Sequence, residues 1–439
     1  MGRWRERIAL FAFLAAILGG TWVAGALSAR FGVFPYPAFN RVLNTLRDAV
    51  ATPDRFHRAV HDFEGVRITK PDRIAPGFTL ITTYFPDKDW HAGIRLIDRD
   101  GKVVHDWNLD FSAILPGRQP QQDFVHGSQL LPNGDIIFNV AFAGLVRLDR
   151  CSNLVWQNED IDAHHSVAPA ADGGFWVSGN ITRDDNAAGL EYLKQFQILN
   201  APIYEDTFVK VSPEGEVLKE ISSIDVLYRN NLQRLLTKMG RGKIAETGAR
   251  KGFSGDIFHL NDIEELSPEM AAEYPLFEAG DIVVSLRQLH AVMVVDPDDL
   301  RVKWYTITAT ISQHDPDFIG DGWIGIFDNN LDLTRRGTVG GGTRILAVRP
   351  HTGEEKVLYP VGSAGPIYTD YGGKWQLLPN GNYLLTIARE GRALEVTAQG
   401  DTVWEWVTPR YGTEDIPEVL EATRYDIPAE TIAGWTCEG

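Results

Sequence analysis

Short apolar runs separated by polar turns fill most of the chain after residue 77. One sequence pattern recurs: an apolar strand, a small polar turn, and a second strand that ends near a large residue, usually Trp. Turns of this kind between alternating strands are the strongest short-range indication of a β-hairpin. This pattern occurs six times, in residues 94–107, 145–156, 208–221, 292–304, 345–359 and 394–406.

Complementary apolar segments lie between these hairpins. Two hairpins make a four-stranded sheet, and sheets of that size repeated every few tens of residues predict a β-propeller. Six repeats predict six blades, so the fold class is all-β. The complementary segments are residues 78–84, 130–138, 167–177, 282–286, 323–327 and 377–385.

An uncharged apolar run covers residues 8–29 and follows Arg3, Arg5 and Arg7. A helix of this length can cross a hydrocarbon layer of about 30 Å. The preceding positive charges predict that the N-terminus stays in the cytoplasm and that the rest faces outward. A cleaved signal peptide is the alternative, since Ala-Gly-Ala at residues 24–26 resembles a cleavage site. The apolar core of a signal peptide is usually about 7 to 15 residues long. We therefore favour a transmembrane anchor with a periplasmic or otherwise extracytoplasmic domain.

The pattern divides the chain into four segments. Apolar residues at helix-like spacing, such as Phe39, Val42 and Leu46, predict a helical linker after the anchor. Two insertions, 184–206 and 222–256, interrupt the repeats, and the second is predicted to contain a helix over 224–239. Long loops on a rigid scaffold often cover a site. The predicted segments are the N-terminus and anchor (1–29), the helical linker (30–76), the propeller (77–408) and a C-terminal tail packed on it (409–439).

Four histidines share one position of the repeat. His126, His165 and His314 each stand eight residues before the glycine of a turn, at Gly134, Gly173 and Gly322. His259 opens a fourth copy, whose lengthened turn ends at Gly280. In a closed ring of blades, equivalent positions surround one axis. We therefore expect the four imidazoles to meet at one mouth of the central channel.

Two further polar residues are predicted at the same mouth. Arg287 stands seven residues after Gly280, and Asn329 stands seven residues after Gly322. Both occupy the end of the second strand of their blades. The spacing therefore places a guanidinium and an amide beside the histidines.

Composition excludes some classes of function. The 439 residues are 44% hydrophobic and 23% charged, which is typical of a globular protein with a large core. A net charge of −17 argues against nucleic acid as a partner, because phosphate binding needs Lys and Arg fields. Two cysteines, Cys151 and Cys437, are too few for a disulfide framework. Either one bridge or two free thiols fits this count.

The predicted cluster is suited to an anionic substrate. Histidine acts as ligand, general base or nucleophile near neutral pH, because its unperturbed pKa is about 6.5. A zinc or copper site is the competing hypothesis, since three or four neutral imidazoles form a good coordination shell. The charge of Arg287 would repel a metal, whereas its forked donors suit tetrahedral oxyanions. We therefore predict neither a metal nor another cofactor.

Four sequence motifs, in this order on the repeats, resemble the bacterial arylsulfotransferases. They are HHSV at residues 164–167, HLND at 259–262, SLRQLH at 285–290 and QHDP at 313–316. The resemblance covers about residues 77–408. It implies sulfuryl transfer from an aryl sulfate to a phenol through a sulfated histidine, without a nucleotide sulfate donor.

The resemblance also implies roles for individual residues. His314 looks like the histidine that is transiently sulfated, and His165 looks like the general acid or base for the phenolic oxygen. His259, Asn261 and Arg287 look like sulfate-binding groups. We also predict that His126 and Asn329 bind substrate, as Asn261 does. This prediction rests on their positions in the repeat, and the resemblance implies no role for them.

A non-catalytic propeller is the rival hypothesis. Fold alone does not determine function, and a membrane-held propeller can serve as the binding or assembly subunit of a complex with a protein partner. The joint presence of His314, His259 and Arg287 favours the enzyme, since a scaffold does not need them. The other histidines considered are interpreted as structural: His105, His164, His290 and His351.

Overall fold

The computed structural model describes residues 2–31, 55–115, 125–183, 203–238, 254–334 and 336–437. It comprises two compact units, residues 1–56 and 57–439. In the first unit, helix α1 spans Gly2–Phe31. Its segment Leu10–Ser28 is long and apolar enough to cross a membrane, a criterion that N-terminal signal sequences also meet. The predicted linker helix around residues 39–50 lies outside the described residues.

The second unit consists mainly of strands. The first fourteen strands are β1 Phe56–Arg58, β2 Gly65–Ile68, β3 Phe78–Phe85, β4 His91–Ile97, β5 Val103–Trp107, β6 Val125–Leu130, β7 Ile136–Val140, β8 Gly144–Leu148, β9 Leu154–Asn158, β10 His164–Pro169, β11 Phe175–Arg183, β12 Ile203–Val211, β13 Val217–Ser222 and β14 Ser254–Asp256. The others are β15 Leu260–Glu265, β16 Ile282–Leu286, β17 Ala291–Val295, β18 Val302–Thr306, β19 His314–Phe318, β20 Ile324–Asp328, β21 Arg344–Arg349, β22 Glu354–Tyr359, β23 Lys374–Leu377, β24 Tyr383–Ile387, β25 Arg392–Val396, β26 Thr402–Val407, β27 Asp415–Pro417 and β28 Glu421–Tyr425.

Short helices connect some of these strands. The α-helices are α2 Phe111–Ile114, α3 Ser223–Arg229 and α4 Ala429–Ala433. Turns of 3-10 helix cover Pro71–Arg73, Pro86–Lys88, Gln233–Lys238, Ala271–Glu273, Arg287–Leu289 and Ala388–Glu390.

Six antiparallel sheets form the blades of a propeller. Blades 2, 3, 4 and 5 are β6–β9, β10–β13, β15–β18 and β19–β22, in simple up-and-down order. Blade 6 is β23–β26 with β2 added at its outer edge, and blade 3 carries β14 beside β12. Blade 1 has the order β28-β3-β4-β5. The predicted six-bladed all-β propeller is confirmed.

The middle strands are apolar on both faces because each blade is covered by two neighbours. Successive side chains of a strand point to opposite faces. Val284 of β16 therefore packs in a cluster with Phe208 of blade 3, whereas Val283 packs in a second cluster with Ile324 of blade 5. Between blades 5 and 6, the indole of Trp375 packs directly on the backbone of Gly325. A Cβ at that position would lie 2.1 Å from the indole, so the contact requires glycine.

The C-terminal segment corrects the predicted domain boundary at residue 408. Strand β28, which was placed in a packed tail over 409–439, is the innermost strand of blade 1 and pairs Glu421 with Thr82 of β3. This pairing satisfies backbone groups that an open ring would leave exposed at a sheet edge. A disulfide joins Cys151 and Cys437, with 5.5 Å between their Cα atoms. It fastens the chain end to the turn between β8 and β9.

Other boundaries also differ from the prediction. The supposed helical linker over 30–76 includes strand β2, which pairs antiparallel with β26 of blade 6 because its polar backbone completes that sheet edge. The helix predicted over 224–239 is two shorter elements, α3 and the 3-10 turn Gln233–Lys238. Most of the insertion over 184–206, and residues 239–253 of the second insertion, lie outside the described residues.

Candidate active site

The four histidines of the repeat lie together at the start of the innermost strands. The His165 ring centroid is 4.2 Å from that of His126 and 4.9 Å from that of His259. His259 and His314 both lie close enough to His165 to influence its pKa electrostatically. The blade geometry therefore brings side chains from β6, β10 and β19, and from the residue just before β15, to one mouth of the channel.

A repeated irregularity directs these side chains. The antiparallel register shifts near the start of all four innermost strands, which is the mark of a β-bulge. His165 and His259 have left-handed backbone conformations, with φ of 56° and 51°. Such strain in non-glycine residues clusters at functional sites. At Gly127, a Cβ would lie 1.7 Å from the His165 carbonyl oxygen, so blade 2 can approach that carbonyl only through glycine.

Asn329 fixes the proton on His314. The Asn329 Nδ2 donates to the carbonyls of Thr369 and Gly372, at 3.0 and 2.8 Å, so its Oδ1 must face His314. That oxygen lies 2.6 Å from His314 Nδ1 and can only accept. Neutral His314 therefore carries its proton on Nδ1 and exposes a lone pair on Nε2. The Asn329 amide, which was predicted to bind substrate, is fully buried and engaged by protein atoms.

For the sulfuryl transfer that the sequence resemblance implies, we expect Asn329→Ala to lower the turnover number about 100-fold, the usual cost of a small misplacement of a reacting group. The variant loses the acceptor that holds Nδ1–H of His314. Asn330→Ala is the matched control, because the Asn330 amide also donates to two loop carbonyls, at Gly340 and Gly342. Steady-state kinetics of both variants test this. An equal loss in the control would mean that only the loop conformation matters.

Arg287 and His259 come from adjoining segments of blade 4. The backbone N–H of Arg287 donates to the His259 carbonyl at 3.1 Å, which places the two residues side by side. The guanidinium donates through Nη2 to the Asp370 carbonyl at 3.3 Å. Asn261 donates through Nδ2 to the Gln313 carbonyl at 2.8 Å, next to His314. Arg287 and His259 both act electrostatically on His314, and Asn261 lies next to it, so these groups surround His314.

Burial keeps two of the imidazoles neutral. Burial lowers the pKa of His314 well below its usual value, and the charge of Arg287 lowers it further. Burial also lowers the pKa of His165, with additional lowering from His126, His164 and His259. A neutral imidazole has the lone pair that a nucleophile or general base needs. The cluster therefore holds two unprotonated histidines at neutral pH.

The family model for arylsulfotransferase (ASST) matches residues 127–409, more than half of the chain. The chain belongs to the arylsulfotransferase family. Its function is therefore arylsulfotransferase-like. No curated protein matches the sequence.

Several solved structures are similar to this chain at low sequence identity. A protein of unknown function from Bacteroides caccae is 12% identical, with a TM-score of 0.46, over 78% of this chain and 99% of that chain. A catalytically inactive virginiamycin B lyase from Staphylococcus aureus is 11% identical, with a TM-score of 0.36, over 67% and 73%. The WD40 propeller domain of Doa1 is 10% identical, with a TM-score of 0.40, over 81% and 87%. These similarities carry no argument about function.

Two adjoining cavities occupy the channel of this arylsulfotransferase family member. The smaller, of about 40 Å³, is lined by His126, His165, Asn261 and His314. The larger, of about 360 Å³, continues along the channel and is lined by several carboxylates. The residues that line both are Ser166, Asp262, Asp315, Lys374 and Glu421.

The channel carboxylates surround one lysine. Lys374 Nζ lies 3.1 Å from Asp315 and 3.5 Å from Glu421. Burial alone would lower the pKa of Lys374, but these carboxylates raise it well above its usual value. Burial raises the pKa of Asp262 to about 7 and that of Glu264 to about 8. Some of the carboxyl groups that line the larger cavity are therefore protonated near neutral pH.

Glu264→Gln should stabilise the fold at alkaline pH. Because the folded-state pKa of Glu264 is raised, its contribution to stability is complete below the unfolded pKa of about 4.3 and is lost as the pH rises through about 8. Glutamine keeps an acceptor for the Phe318 N–H and stays neutral. We expect an unfolding free energy higher by up to about 5 kcal/mol at pH 9, at about 1.4 kcal/mol for each unit by which the pKa is raised, and by about 1 kcal/mol at pH 5. Thermal unfolding measures this, with exposed Glu355→Gln as the control. A loss of stability at pH 9 would contradict the burial argument.

Sequence counting missed two polar residues of this region. Asn180 stands seven residues after Gly173, the position that Arg287 and Asn329 occupy in their blades. Its side chain is 5% exposed, and neither polar atom has a hydrogen-bond partner in the described structure. The same count would have found it. Lys374 was missed because blade 6 has Gly373 instead of histidine at the repeat position.

None of the four histidines interpreted as structural lines either cavity, and three of them make their contacts elsewhere in the described structure. His105 packs between Trp107 and Trp435 and bonds to the Arg150 carbonyl at 2.7 Å. His290 Nδ1 accepts from the Ser312 N–H, and His351 is exposed in a turn. His164, by contrast, touches His165. Within the described ranges, no group of three or more His, Cys, Asp or Glu side chains is arranged to hold a metal ion.

Proposed function

We propose that this protein moves a sulfuryl group from an aryl sulfate to a phenol through a sulfated His314, without a nucleotide sulfate donor. The observation that carries the proposal is the 2.6 Å hydrogen bond between His314 Nδ1 and Asn329 Oδ1. It leaves Nε2 as a nucleophile beside three other imidazoles and Arg287. Family membership supports the same chemistry.

In the first half-reaction, the Nε2 lone pair of His314 attacks the sulfur of the aryl sulfate. The N–S bond forms as the bond between sulfur and the aryl oxygen breaks, and the electron pair leaves with the aryl oxide. The Nδ1–H bond to Asn329 holds the ring in line throughout. A histidine nucleophile divides one difficult displacement into two easier ones.

In the second half-reaction, the oxygen of the acceptor phenol attacks the sulfur of sulfated His314. The S–N bond breaks and its electron pair returns to Nε2. The proton of the phenol passes to His165, which burial and its neighbours keep neutral. General base assistance of this kind contributes typically 10² to 10⁴-fold, roughly.

The remaining residues bind the sulfuryl oxygens. Arg287 supplies a forked positive donor set, and His259 adds a donor from the adjoining segment. Asn261 has a second N–H beyond the one given to Gln313. His126 covers the side of His165 that faces blade 2. Charge on the equatorial oxygens is thus met by donors already in place, which is the main source of rate enhancement in such sites.

The N-terminal helix supports an extracytoplasmic location. With α1 in a membrane and its arginines in the cytoplasm, the propeller would face outward, into the periplasm of a diderm bacterium. That compartment lacks activated nucleotides, and an aryl sulfate donor removes the need for them.

The test is incubation of the purified protein with 4-nitrophenyl sulfate and phenol. We expect release of nitrophenol and formation of phenyl sulfate. With ³⁵S-labelled donor and no acceptor, we expect one label per chain on His314. No turnover with any phenol, together with co-purification of a fixed protein partner, would support the scaffold hypothesis. Stoichiometric zinc or copper in the active protein would support the metal hypothesis.

A further inference from the structure

His164 is held by partners at both ring nitrogens. Its Nδ1 lies 2.7 Å from Nδ1 of His165, and its Nε2 lies 3.2 Å from the Gly179 carbonyl oxygen. The same Nε2 is 3.2 Å from Asp206 Oδ1. The side chain of His164 is 2% exposed. A flipped ring would put carbon atoms at these polar contacts, so the partners fix its orientation.

These contacts determine where the protons lie. A carbonyl oxygen only accepts, so Nε2 of His164 carries a proton that it donates to Gly179. Neutral His164 then has a bare Nδ1, which can only accept. His165 must therefore donate from its own Nδ1, and its Nε2 is left without a proton. The tautomer of His165 is set by the ring beside it.

We propose that His164 and Asp206 position and charge-balance His165, so that the base for the acceptor phenol is a linked His165–His164–Asp206 unit. This inference rests on the proposed function and corrects the structural interpretation of His164. His164 is a positioning residue, since it reaches the acceptor only through His165.

Asp206 is placed to balance charge. Its side chain is 1% exposed, and its Oδ2 accepts from the Leu260 N–H at 3.2 Å, which anchors it between blades 3 and 4. The imidazoles of His126, His259 and His314 also act on His165. Asp262, Asp315, Lys374 and Glu421 line the cavity that His165 borders. Asp206 is the carboxylate that lies beside His164, with Oδ1 3.2 Å from Nε2, so it is placed to offset the proton taken from the phenol.

The proton transfer is balanced within this unit. The phenol O–H bond breaks as the oxygen attacks sulfur, and the proton goes to Nε2 of His165. His165 becomes an imidazolium whose Nδ1–H is shared with Nδ1 of His164. The positive charge is offset electrostatically by Asp206, whose Oδ1 lies 3.2 Å from Nε2 of His164 and makes no hydrogen bond among the described residues. On the next release of the proton to solvent, the original tautomers return.

The two half-reactions separate this role from a packing role. His164→Phe keeps an aromatic ring beside Phe142 but removes the acceptor for His165. With 4-nitrophenyl sulfate, whose leaving group needs no acid, we expect the burst of nitrophenol to stay within about 3-fold of wild type. Transfer to neutral phenol should fall about 10- to 100-fold, the share of a general base. Transfer to phenols already ionised at the assay pH should be unaffected.

Two further variants complete the design. His164→Gln retains an acceptor for His165 Nδ1–H and should recover part of the loss. Asp206→Asn should slow only the transfer to neutral phenols. His105→Phe is the matched control, because it removes a packed histidine elsewhere in the fold. Equal losses in both half-reactions, or with ionised and neutral phenols alike, would overturn the proposal.

A spectroscopic test needs no turnover. In protein labelled with ¹⁵N-histidine, we expect His165 to be protonated at Nδ1 and bare at Nε2, and His164 to be the reverse. His164→Phe should abolish the fixed tautomer of His165. A His165 protonated at Nε2 in wild type would refute the proposal even if the enzyme is active. Correct tautomers without any sulfuryl transfer would instead refute the proposed function.

Discussion

His314→Ala is expected to abolish sulfuryl transfer, with a loss of at least about 10⁴-fold in kcat/KM, as for other catalytic nucleophiles. The physical reason is the removal of the ring whose Nε2 lone pair is fixed beside Arg287 by a hydrogen bond to Asn329. The loss corresponds to about 5.5 kcal/mol of transition-state stabilisation. Nitrophenol release and ³⁵S labelling both measure it, and we expect the variant to retain no label.

Folding must be separated from chemistry in this experiment. His314 is 5% exposed, so thermal unfolding of His314→Ala should be recorded beside its activity. His314→Gln keeps more of the volume and should be equally inactive. His351→Ala is the control, because His351 is exposed in a hairpin turn. A tenfold loss of rate corresponds to only about 1.4 kcal/mol of activation free energy. If folded His314→Ala turns over within about 10-fold of wild type, His314 is excluded as the nucleophile.

Arg287→Ala is expected to lower kcat/KM roughly 10² to 10³-fold, the usual cost of removing one donor from a transition-state charge. It should also shift the acid limb of the pH–rate profile to higher pH. The charge of Arg287 holds the pKa of His314 down, second only to burial. Without that charge, the pKa of His314 rises, so a larger fraction is protonated and inactive at any acidic pH.

Arg287→Lys distinguishes the two effects. Lysine keeps the positive charge and should restore the position of the acid limb. It lacks the planar fork and should restore only part of the rate. Arg301→Ala is the control, since the side chain of Arg301 is 60% exposed. A pH profile unchanged by Arg287→Ala would show that the guanidinium does not act on the nucleophile.

Much of the fold could be predicted from sequence because propeller blades are local. Each hairpin, such as β7 with β8, pairs residues that are close in the chain, so turns and alternation suffice to predict it. Blade 1 could not be predicted this way. Its innermost strand, β28, comes from the other end of the chain, and a five-residue strand gives no local sign of its distant partner. The same holds for β2, which completes blade 6.

The site was predictable as a set of positions but not as a set of contacts. Counting from turn glycines placed His126, His165, His259 and His314 on one ring, because equivalent residues of equivalent blades surround a common axis. Counting could not show that Asn329 turns its oxygen toward His314. That orientation depends on the carbonyls of Thr369 and Gly372, forty or more residues away.

The sequence by itself therefore determined the family, the six blades and the ring of histidines, since these depend on local pattern and repeat spacing. Only the tertiary structure decided which nitrogen of His314 is bare, that His164 joins His165, and that Cys151 meets Cys437. Protonation and pairing depend on distances and hydrogen-bond directions between segments far apart in the chain. Those quantities exist only after the ring of blades has closed.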